Sequence, residues 1–468
     1  MSPKSKYNYL VRNTLLFTIS SFGSKLLTFL LVPLYTHVLS TAEYGISDLI
    51  TTTANLVIFV FTLNIADAVM RFAIEKKERQ EEILVYGLKV LAVGSVIFAV
   101  TLMLLWIFHL INWAGYCYLF LFLDFFLLAL NQILLGYLRA VDDINSVAVS
   151  GITTTFFTIV SNLLLLVVFK IGMIGYMASV VIGYLASDIY CAYKIRLPFG
   201  IQQCDPNTRR AMRKYSIPLI FNGVAWWMNS SIDKYFVTAI CGVAQNGIYS
   251  VAYKIPTILT VFQSIFSQAW NLSAIREYDQ EDREGFFANI YSIYNAGLVF
   301  VCSGLILFNI PLAKFLFSKD FFTAWRYSSV LLISIVFSAL SSFLGSIFAA
   351  VKDSRITAVS TVAAACVNMV LNAVLIPFWG VQGAAIATMF SFCVVWFIRL
   401  ECARKYIHWH LNLKKDICAY ILLVLQVILE HLEGHMYIGQ MLVVLVIFVL
   451  YRKHFFKIAK LLIGKFYV

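Results

Sequence analysis

The sequence predicts an all-α polytopic membrane protein with 14 transmembrane helices: two pseudo-symmetric six-helix lobes followed by two C-terminal helices. Three observations predict it. The 468 residues are 61% hydrophobic and 16% aromatic but only 13% charged, about half the charge of a soluble domain. Apolar runs long enough to cross ~30 Å of hydrocarbon recur along the whole chain. Most of the 36 Lys and Arg fall in alternate connections between those runs, the asymmetry expected of cytoplasmic loops.

The runs lie at about 13–37, 43–69, 83–108, 115–138, 146–169 and 173–193, then at 212–240, 246–272, 287–313, 323–350, 356–377 and 381–400, and finally at 414–430 and 436–451. Residues 1–12 are basic, and no small-residue cleavage site follows a short apolar core. The first span is therefore expected to stay as an anchor. With the N-terminus in the cytoplasm, the basic stretches at 71–79, 194–214, 399–415 and 452–465 all fall inside, whereas the outer connections hold only Lys170, Lys314, Lys319 and Arg326. A wrong helix count would scramble this pattern. The expected organisation is an N-lobe at 1–196, a cytoplasmic linker at 197–211 containing Pro198 and Pro206, a C-lobe at 212–405, and residues 406–468 carrying the last two spans and a basic tail.

Self-comparison supports the two lobes. LSTAEYGISD (39–48) resembles CGVAQNGIYS (241–250), LLGYLRAVDD (134–143) resembles FLGSIFAAVKD (343–353), and GMIGYMAS (172–179) resembles GVQGAAIAT (380–388). The glycine pairs Gly45/Gly247, Gly136/Gly345 and Gly175/Gly383 share nearly one offset, and Asn162 and Asn372 fall in step. Six spans per copy is an even number, so both copies keep one orientation. Their axis lies along the membrane normal, and a cleft between two bundles is the expected substrate site.

The chemistry-bearing residues exclude most enzyme classes. The net charge of +12 is dispersed over loops and does not mark a nucleic-acid surface. The nine Cys contain no CxxC pair, and Cys302, Cys366 and Cys393 sit in apolar runs as small core residues. His408 and His410, two apart, share no helix face. No metalloprotease, P-loop, dinucleotide or nucleophile-elbow motif stands on a suitable element.

Polar stripes at helical spacing are the more informative feature. The first span carries Thr18, Ser21, Lys25, Thr28 and Tyr35, and the second Asp48, Thr51, Asn55 and Thr62. The seventh carries Asn222, Trp226, Asn229 and Asp233, and the eighth Ser250, Lys254, Thr257, Ser264, Gln268 and Asn271. Helix adhesion through Ser, Thr and Asn accounts for any one of these residues. Four stripes in matching places predict a hydrated cavity or seam.

Lys25 lies near mid-depth, where an ammonium costs roughly 3 kcal/mol. Lys254 lies about two turns, ~12 Å, from the outer surface, with Pro256 behind it to break the helix. Lys89 reads as a snorkelling residue. Asp233 and Lys234 are adjacent and point apart. Asp48, Asp67 and Asp124 are candidate partners for the lysines or sites for a coupling ion, and a pair between Lys25 and Asp48 or Asp124 stays open. Two lysines in a cavity suit the oxygens of a phosphate. Trp226 and Trp227 can stack on sugar rings, although packing is the favoured reading in a chain this aromatic.

SIDKYFVTAICGVAQNGIYSVAYKIP (231–256), NIADAVMRF (64–72), SQAWN (267–271) and GVQGAAIAT together resemble the Wzx-type polysaccharide repeat-unit flippases of the multidrug/oligosaccharidyl-lipid/polysaccharide exporter superfamily. The likeness covers essentially the whole chain. It implies a V-shaped cavity between lobes that alternate between inward- and outward-open states, and no enzyme activity. The implied substrate is an undecaprenyl-pyrophosphate-linked oligosaccharide moved from the cytoplasmic to the outer leaflet of a bacterial inner membrane.

Lys25 and Lys254 match the cationic residues of such a cavity, lined by Ser21, Thr28, Asp48, Asn55, Asn222, Trp226, Asn229, Asp233, Thr257 and Gln268. No cofactor is implied beyond a coupling ion, Na+ or H+. The implied partners are membrane lipid and polysaccharide polymerase or export machinery, with no nucleic acid. AWNLSA departs from members that have a proline shortly after the AW, which leaves the inner end of the eighth span open. A cation-coupled drug exporter of the same fold would favour acidic residues where Lys25 stands. A flippase for the peptidoglycan precursor shares the charge logic. A membrane glycosyltransferase would need a large extramembrane loop, and none is present.

Overall fold

Runs of Leu, Ile, Val and Phe free of charge fold as helices because, in hydrocarbon, every backbone N–H must find its carbonyl within the same segment. The computed structural model describes residues 29–111, 113–196, 204–276, 281–282, 285–351, 353–409, 411–432 and 436–465. Its contacts divide the chain into two compact units, Met1–Ser231 and Ile232–Val468.

The first unit contains α1 (Val32–Val38), α2 (Thr41–Phe61), α3 (Ile65–Glu75), α4 (Gln80–Ile107), α5 (Gly115–Ala140), α6 (Ile144–Asn162, prolonged by a π turn at Leu163–Val168), α7 (Met173–Ile195) and the start of α8 (Pro206–Cys241). The second continues from α8 through α9 (Val243–Ala252), α10 (Lys254–Arg276), α11 (Phe286–Leu307), α12 (Asn309–Leu316), α13 (Trp325–Ala350), α14 (Ser354–Trp379), α15 (Val381–Ala403), α16 (Leu413–His431) and α17 (Tyr437–Lys465).

The protein is a multi-pass membrane protein. Among the described residues, ten helices are long and apolar enough to span a bilayer: α2, α4, α5, α6, α7, α11, α13, α14, α15 and α17. Among the described residues, length and composition thus identify ten of the 14 expected spans. Most of the first expected span falls outside the described residues. The seventh (α8) is helical but polar, the thirteenth (α16) is an apolar helix with Lys414, Lys415, Asp416 and Glu430 near its ends, and the eighth is split into α9 and α10.

Each unit is built around a central helix in the corresponding position of the repeat. In the first, α5 packs on α2, α3, α4 and α7; in the second, α13 packs on α10, α11 and α15. Each unit also pairs two consecutive helices tightly, α6 with α7 and α14 with α15. The corner of each pair is the same object. Gly172 and Gly380 cap α7 and α15 with φ/ψ of 65°/−137° and 56°/−140°, a combination open almost only to glycine. Three residues on, a Cβ at Gly175 would lie 3.3 Å from the Leu165 carbonyl, and one at Gly383 would lie 2.5 Å from that of Leu375. The GxxG spacing that matched in the sequence is the geometry of a tight helical corner.

Several expected helices are interrupted. The second span, expected at 43–69, stops at Thr62, where Leu63 and Asn64 take left-handed backbone. Asn64 then donates to Asp67 at 2.8 Å, so Asp67 is occupied locally and lies close enough to Arg139 to interact electrostatically. The ninth, expected at 287–313, breaks at Phe308. Pro311 has no N–H for the Leu307 carbonyl, so α11 ends there. Arg399, assigned by sequence to a basic inner connection, is buried within α15. Its guanidinium donates to the Ser341 carbonyl (2.8 Å), Ser360 Oγ (2.9 Å) and Thr361 Oγ1 (3.1 Å), tying α13, α14 and α15 together.

Candidate functional site

In the second unit the eighth span divides at Tyr253. Pro256 lacks the N–H that would bond to the carbonyl of Ala252, four residues back, so α9 ends at Ala252 and α10 begins at Lys254. The freed Ala252 carbonyl accepts instead from Ser328 Oγ of α13 at 2.9 Å. The break is thereby held from outside, and it places the half-buried Lys254 at the first residue of a new helix. Both the ammonium and the positive end of the α10 dipole favour an anion at that point.

Beside this joint lies a buried carboxylate. Asp233 on α8 is 2% exposed. Its Oδ2 accepts from Tyr249 (2.5 Å) and Tyr253 (3.0 Å), one turn apart at the end of α9, and from Thr388 Oγ1 of α15 at 3.1 Å. Its Oδ1 accepts from the backbone N–H of Lys234 at 3.0 Å. A buried carboxylate is tolerated when its lone pairs are satisfied in this way. Below Thr388 the polar path continues through Ser391, Asn368 and Asn372, with Asn372 donating to Asn368 at 2.8 Å. The cluster joins α8, α9, α14 and α15 through oxygen and amide groups alone.

In the first unit the corresponding polar centre is aromatic. Tyr35, Tyr44 and Tyr176 gather with ring centroids 4.8 and 5.9 Å apart, and Asn162 donates to the Tyr35 hydroxyl at 3.1 Å. Asp48, half-buried, lies close enough to Tyr44 and Tyr176 to interact with both. Asp124 is buried and accepts from Thr51 at 3.4 Å. No ion pair involves Asp124 among the described residues.

Of the residues singled out from the sequence, Lys25, Ser21 and Thr28 lie outside the described residues, as does the side chain of Gln268. Thr257 is half-buried and donates to the Tyr253 carbonyl at 2.9 Å, close to Lys254 in the chain. Asn229 and Asp233 are buried on α8, whereas Asn222 and Trp226 are exposed, Trp226 at 64%. Asn55 is exposed and turns its amide onto the Thr51 carbonyl. Trp227 is not free to stack on a sugar: it is buried, with Nε1 donating to the Thr52 carbonyl at 3.0 Å. The Trp of SQAWN is likewise a packing residue. Trp270 stacks on Phe343 at 4.2 Å and donates to its carbonyl.

Sequence reasoning missed Tyr249, Tyr253 and Thr388. The two tyrosines sit four residues apart and one before Lys254, a spacing that puts them on one helix face. Thr388 is 155 positions from Asp233, and no local pattern announces it.

A model for polysaccharide biosynthesis proteins matches residues 10–271. A probable low-salt glycan biosynthesis flippase, Agl15 of Haloferax volcanii, is 25% identical over 187 residues, which is 39% of this chain and 38% of that protein. The chain thus matches little more than a third of that relative's length. Among solved structures, the lipid II flippase MurJ in an inward closed conformation superposes with a TM-score of 0.71 at 14% identity, covering 95% of this chain and 99% of that one. An inward-facing multidrug resistance MATE transporter of the MOP superfamily superposes at 0.62, with 14% identity, over 82% of this chain and 98% of its own. A MOP superfamily transporter from Pyrococcus furiosus, described as having a binding pocket of reverse polarity, gives 0.60 at 14% identity over 84% and 95%. These likenesses establish the fold.

Proposed function

Because the chain belongs to the polysaccharide biosynthesis protein family, we propose that it is a flippase of the MOP superfamily that moves a lipid-linked oligosaccharide across the membrane without altering it. In the finer form of this reading, the substrate is an undecaprenyl-pyrophosphate-linked repeat unit. It passes from the cytoplasmic to the outer leaflet of a bacterial inner membrane in which both termini are cytoplasmic. The family match carries the reading, since residues 10–271 include the Lys25 span and the whole Asp233-to-Lys254 block. A glycan flippase among the relatives supports it further.

The chemistry is consistent. A diphosphate offers anionic oxygens to the ammonium groups of Lys25 and Lys254, each charge-assisted contact contributing ~1.5–3 kcal/mol. Asp233 is held by hydroxyls and can gain or release a proton or small cation as the lobes exchange access. A membrane potential contributes ~2.3 kcal/mol per charge per 100 mV, so an ion gradient and the potential are both adequate drives. The flipped unit is then handed to polymerase or export machinery.

Likeness to the lipid II flippase over 95% of the chain favours a second reading, transport of the peptidoglycan precursor. Expression in two strains separates them, one deleted for its repeat-unit flippase and one depleted of its lipid II flippase. Restored surface glycan in the first supports the proposal. Rescue of the second alone transfers the assignment, and rescue of neither refutes both.

A further inference from the structure

The first unit contains a cavity of about 690 Å³, within the usual range of ligand pockets, roughly 300–1,000 Å³. All of its lining residues belong to that unit, and Asp48, Asp124 and the Tyr35–Tyr44–Tyr176 cluster are not among them. Its walls come from the end of α2 (Val60, Phe61), the inner half of α4 and the start of α8, and its charged lining consists of Lys89, Arg209 and Arg213. Among the described residues none of these three is paired with a carboxylate, and Arg209 Nε is buried without a hydrogen-bond partner. Glu82 and Asp205 lie close enough to Cys204, itself in the lining, to interact with it, as do Arg209 and Lys76.

The arrangement is built rather than incidental. Asp205 caps the first turn of α8 by accepting from Thr208 N–H and Oγ1 at 3.2 and 3.1 Å, and Lys76 Nζ donates to the same Thr208 hydroxyl at 2.7 Å. Arg209 and Arg213, four residues apart, therefore share one face at the positive end of that helix. The cavity floor is tight, because Gly94 lies so close to the Phe61 carbonyl that a Cβ there would sit 2.0 Å away.

Lys89 is the feature that snorkelling alone leaves unexplained. It lies nine residues, ~13 Å, into α4 from Gln80. On the same face, at intervals of three and four residues, come Val93, Ile97, Val100 and Leu104, each at least half exposed. An apolar stripe thus runs along α4 and ends in a cavity lined by three cations that, among the described residues, form no ion pair. Water or loose counterions satisfy the charges but not the stripe; hydrocarbon satisfies the stripe but not the charges. One amphiphile satisfies both.

We propose that this cavity binds the phosphate headgroup of a membrane lipid, with Lys89, Arg209 and Arg213 holding the phosphate and the lipid chain lying along Val93, Ile97 and Val100 of α4. The inference rests on the first unit alone and stands whether or not the flippase reading holds.

The test is lipid retention by the purified full chain, measured by native mass spectrometry. The probes are phosphatidylglycerol, undecaprenyl phosphate, phosphatidylcholine and inorganic phosphate. Lys89→Gln and Arg213→Gln should each weaken retention of the anionic lipids about fivefold, the effect of losing one cation near a lipid phosphate. Arg210→Gln, an equal charge change outside the cavity, should leave retention within about twofold. Retention of phosphatidylglycerol assigns the site to the bulk leaflet, and retention of undecaprenyl phosphate alone assigns it to a polyprenyl carrier. Equal losses with Arg210→Gln, equal retention of phosphatidylcholine, or equal retention of inorganic phosphate would each overturn the proposal. If Lys89→Gln fails to accumulate, Arg213→Gln at the exposed mouth decides the question.

Discussion

The break before Lys254 can be tested by moving its hydrogen bonds. Ser328 Oγ donates to the Ala252 carbonyl at 2.9 Å and shares its proton with its own helix at the Ala324 carbonyl, 3.1 Å away. Ser328→Ala leaves the Ala252 carbonyl buried without a donor. Interhelical bonds in membrane proteins average about 0.6 kcal/mol with a ceiling near 1.7. Pro256 denies this carbonyl the local alternative that usually softens such losses, so the cost should lie near the upper end, about 1.5 kcal/mol. Pro256→Ala restores an N–H at the right spacing. In that background Ser328→Ala should cost little, well under 0.5 kcal/mol. The cycle is read by reversible unfolding in detergent–lipid mixtures, with export measured in parallel. Pro256→Ala should also straighten the α9–α10 joint and so reduce export even where stability rises. Additive effects of the two substitutions, with no coupling, would refute the account of the break.

Three further outcomes follow from the same geometry. Lys254→Ala should abolish surface polysaccharide while the protein accumulates normally, as judged by immunoblot; unchanged export would remove Lys254 from any anion-binding role. Asp233→Leu strands the hydroxyls of Tyr249, Tyr253 and Thr388 together and should destabilise by ~3 kcal/mol or more, whereas Asp233→Asn keeps an acceptor and should cost roughly half as much, both read by detergent unfolding. Gly172→Ala and Gly380→Ala should each cost ~1–3 kcal/mol and by similar amounts, because the two positions share one strained conformation; a large disparity would show that the repeat is not a conformational one.

What the sequence made legible follows from how local each cause is. Pro256 announces the break because a missing N–H acts four residues back, and the outcome at Ala252 is local. The GxxG repeat is legible because glycine alone takes the backbone at Gly172 and Gly380. The break after α2 was not legible: Leu63 and Asn64 turn left-handed with no proline or glycine to signal it. The stripe on α8 was half legible. Even helical spacing groups Asn222, Trp226, Asn229 and Asp233, yet the first two are exposed and the last two buried. Burial depends on what packs alongside each turn, and spacing carries no record of that. Thr388 was invisible for the same reason, since its partnership with Asp233 exists only once α8 and α15 meet.

The last two helices show how polar contacts substitute for hydrophobic sorting in a bilayer. An apolar face gains little from leaving lipid for another helix, so α16 and α17 need directional bonds to fix their place. They have a ladder of them. Asn295 on α11 donates to Tyr451 at 3.2 Å and accepts from Tyr420 at 3.0 Å, Ser303 meets Gln426 at 2.7 Å, and Asn309 meets Glu430 at 2.7 Å. Tyr451 closes the ladder by donating to Asp416 at 2.8 Å. Each rung sits about two turns from the next along α11 and α12, so sliding the pair by one turn would break every rung at once. The pair is therefore bound to the second unit in one register and must travel with it in any rearrangement. These acids, Asp416 and Glu430, are thus accounted for by assembly. If transport is ion-coupled as proposed, the carboxylates to test are therefore those in the spans that carry the polar stripes, Asp233 and Asp48 foremost.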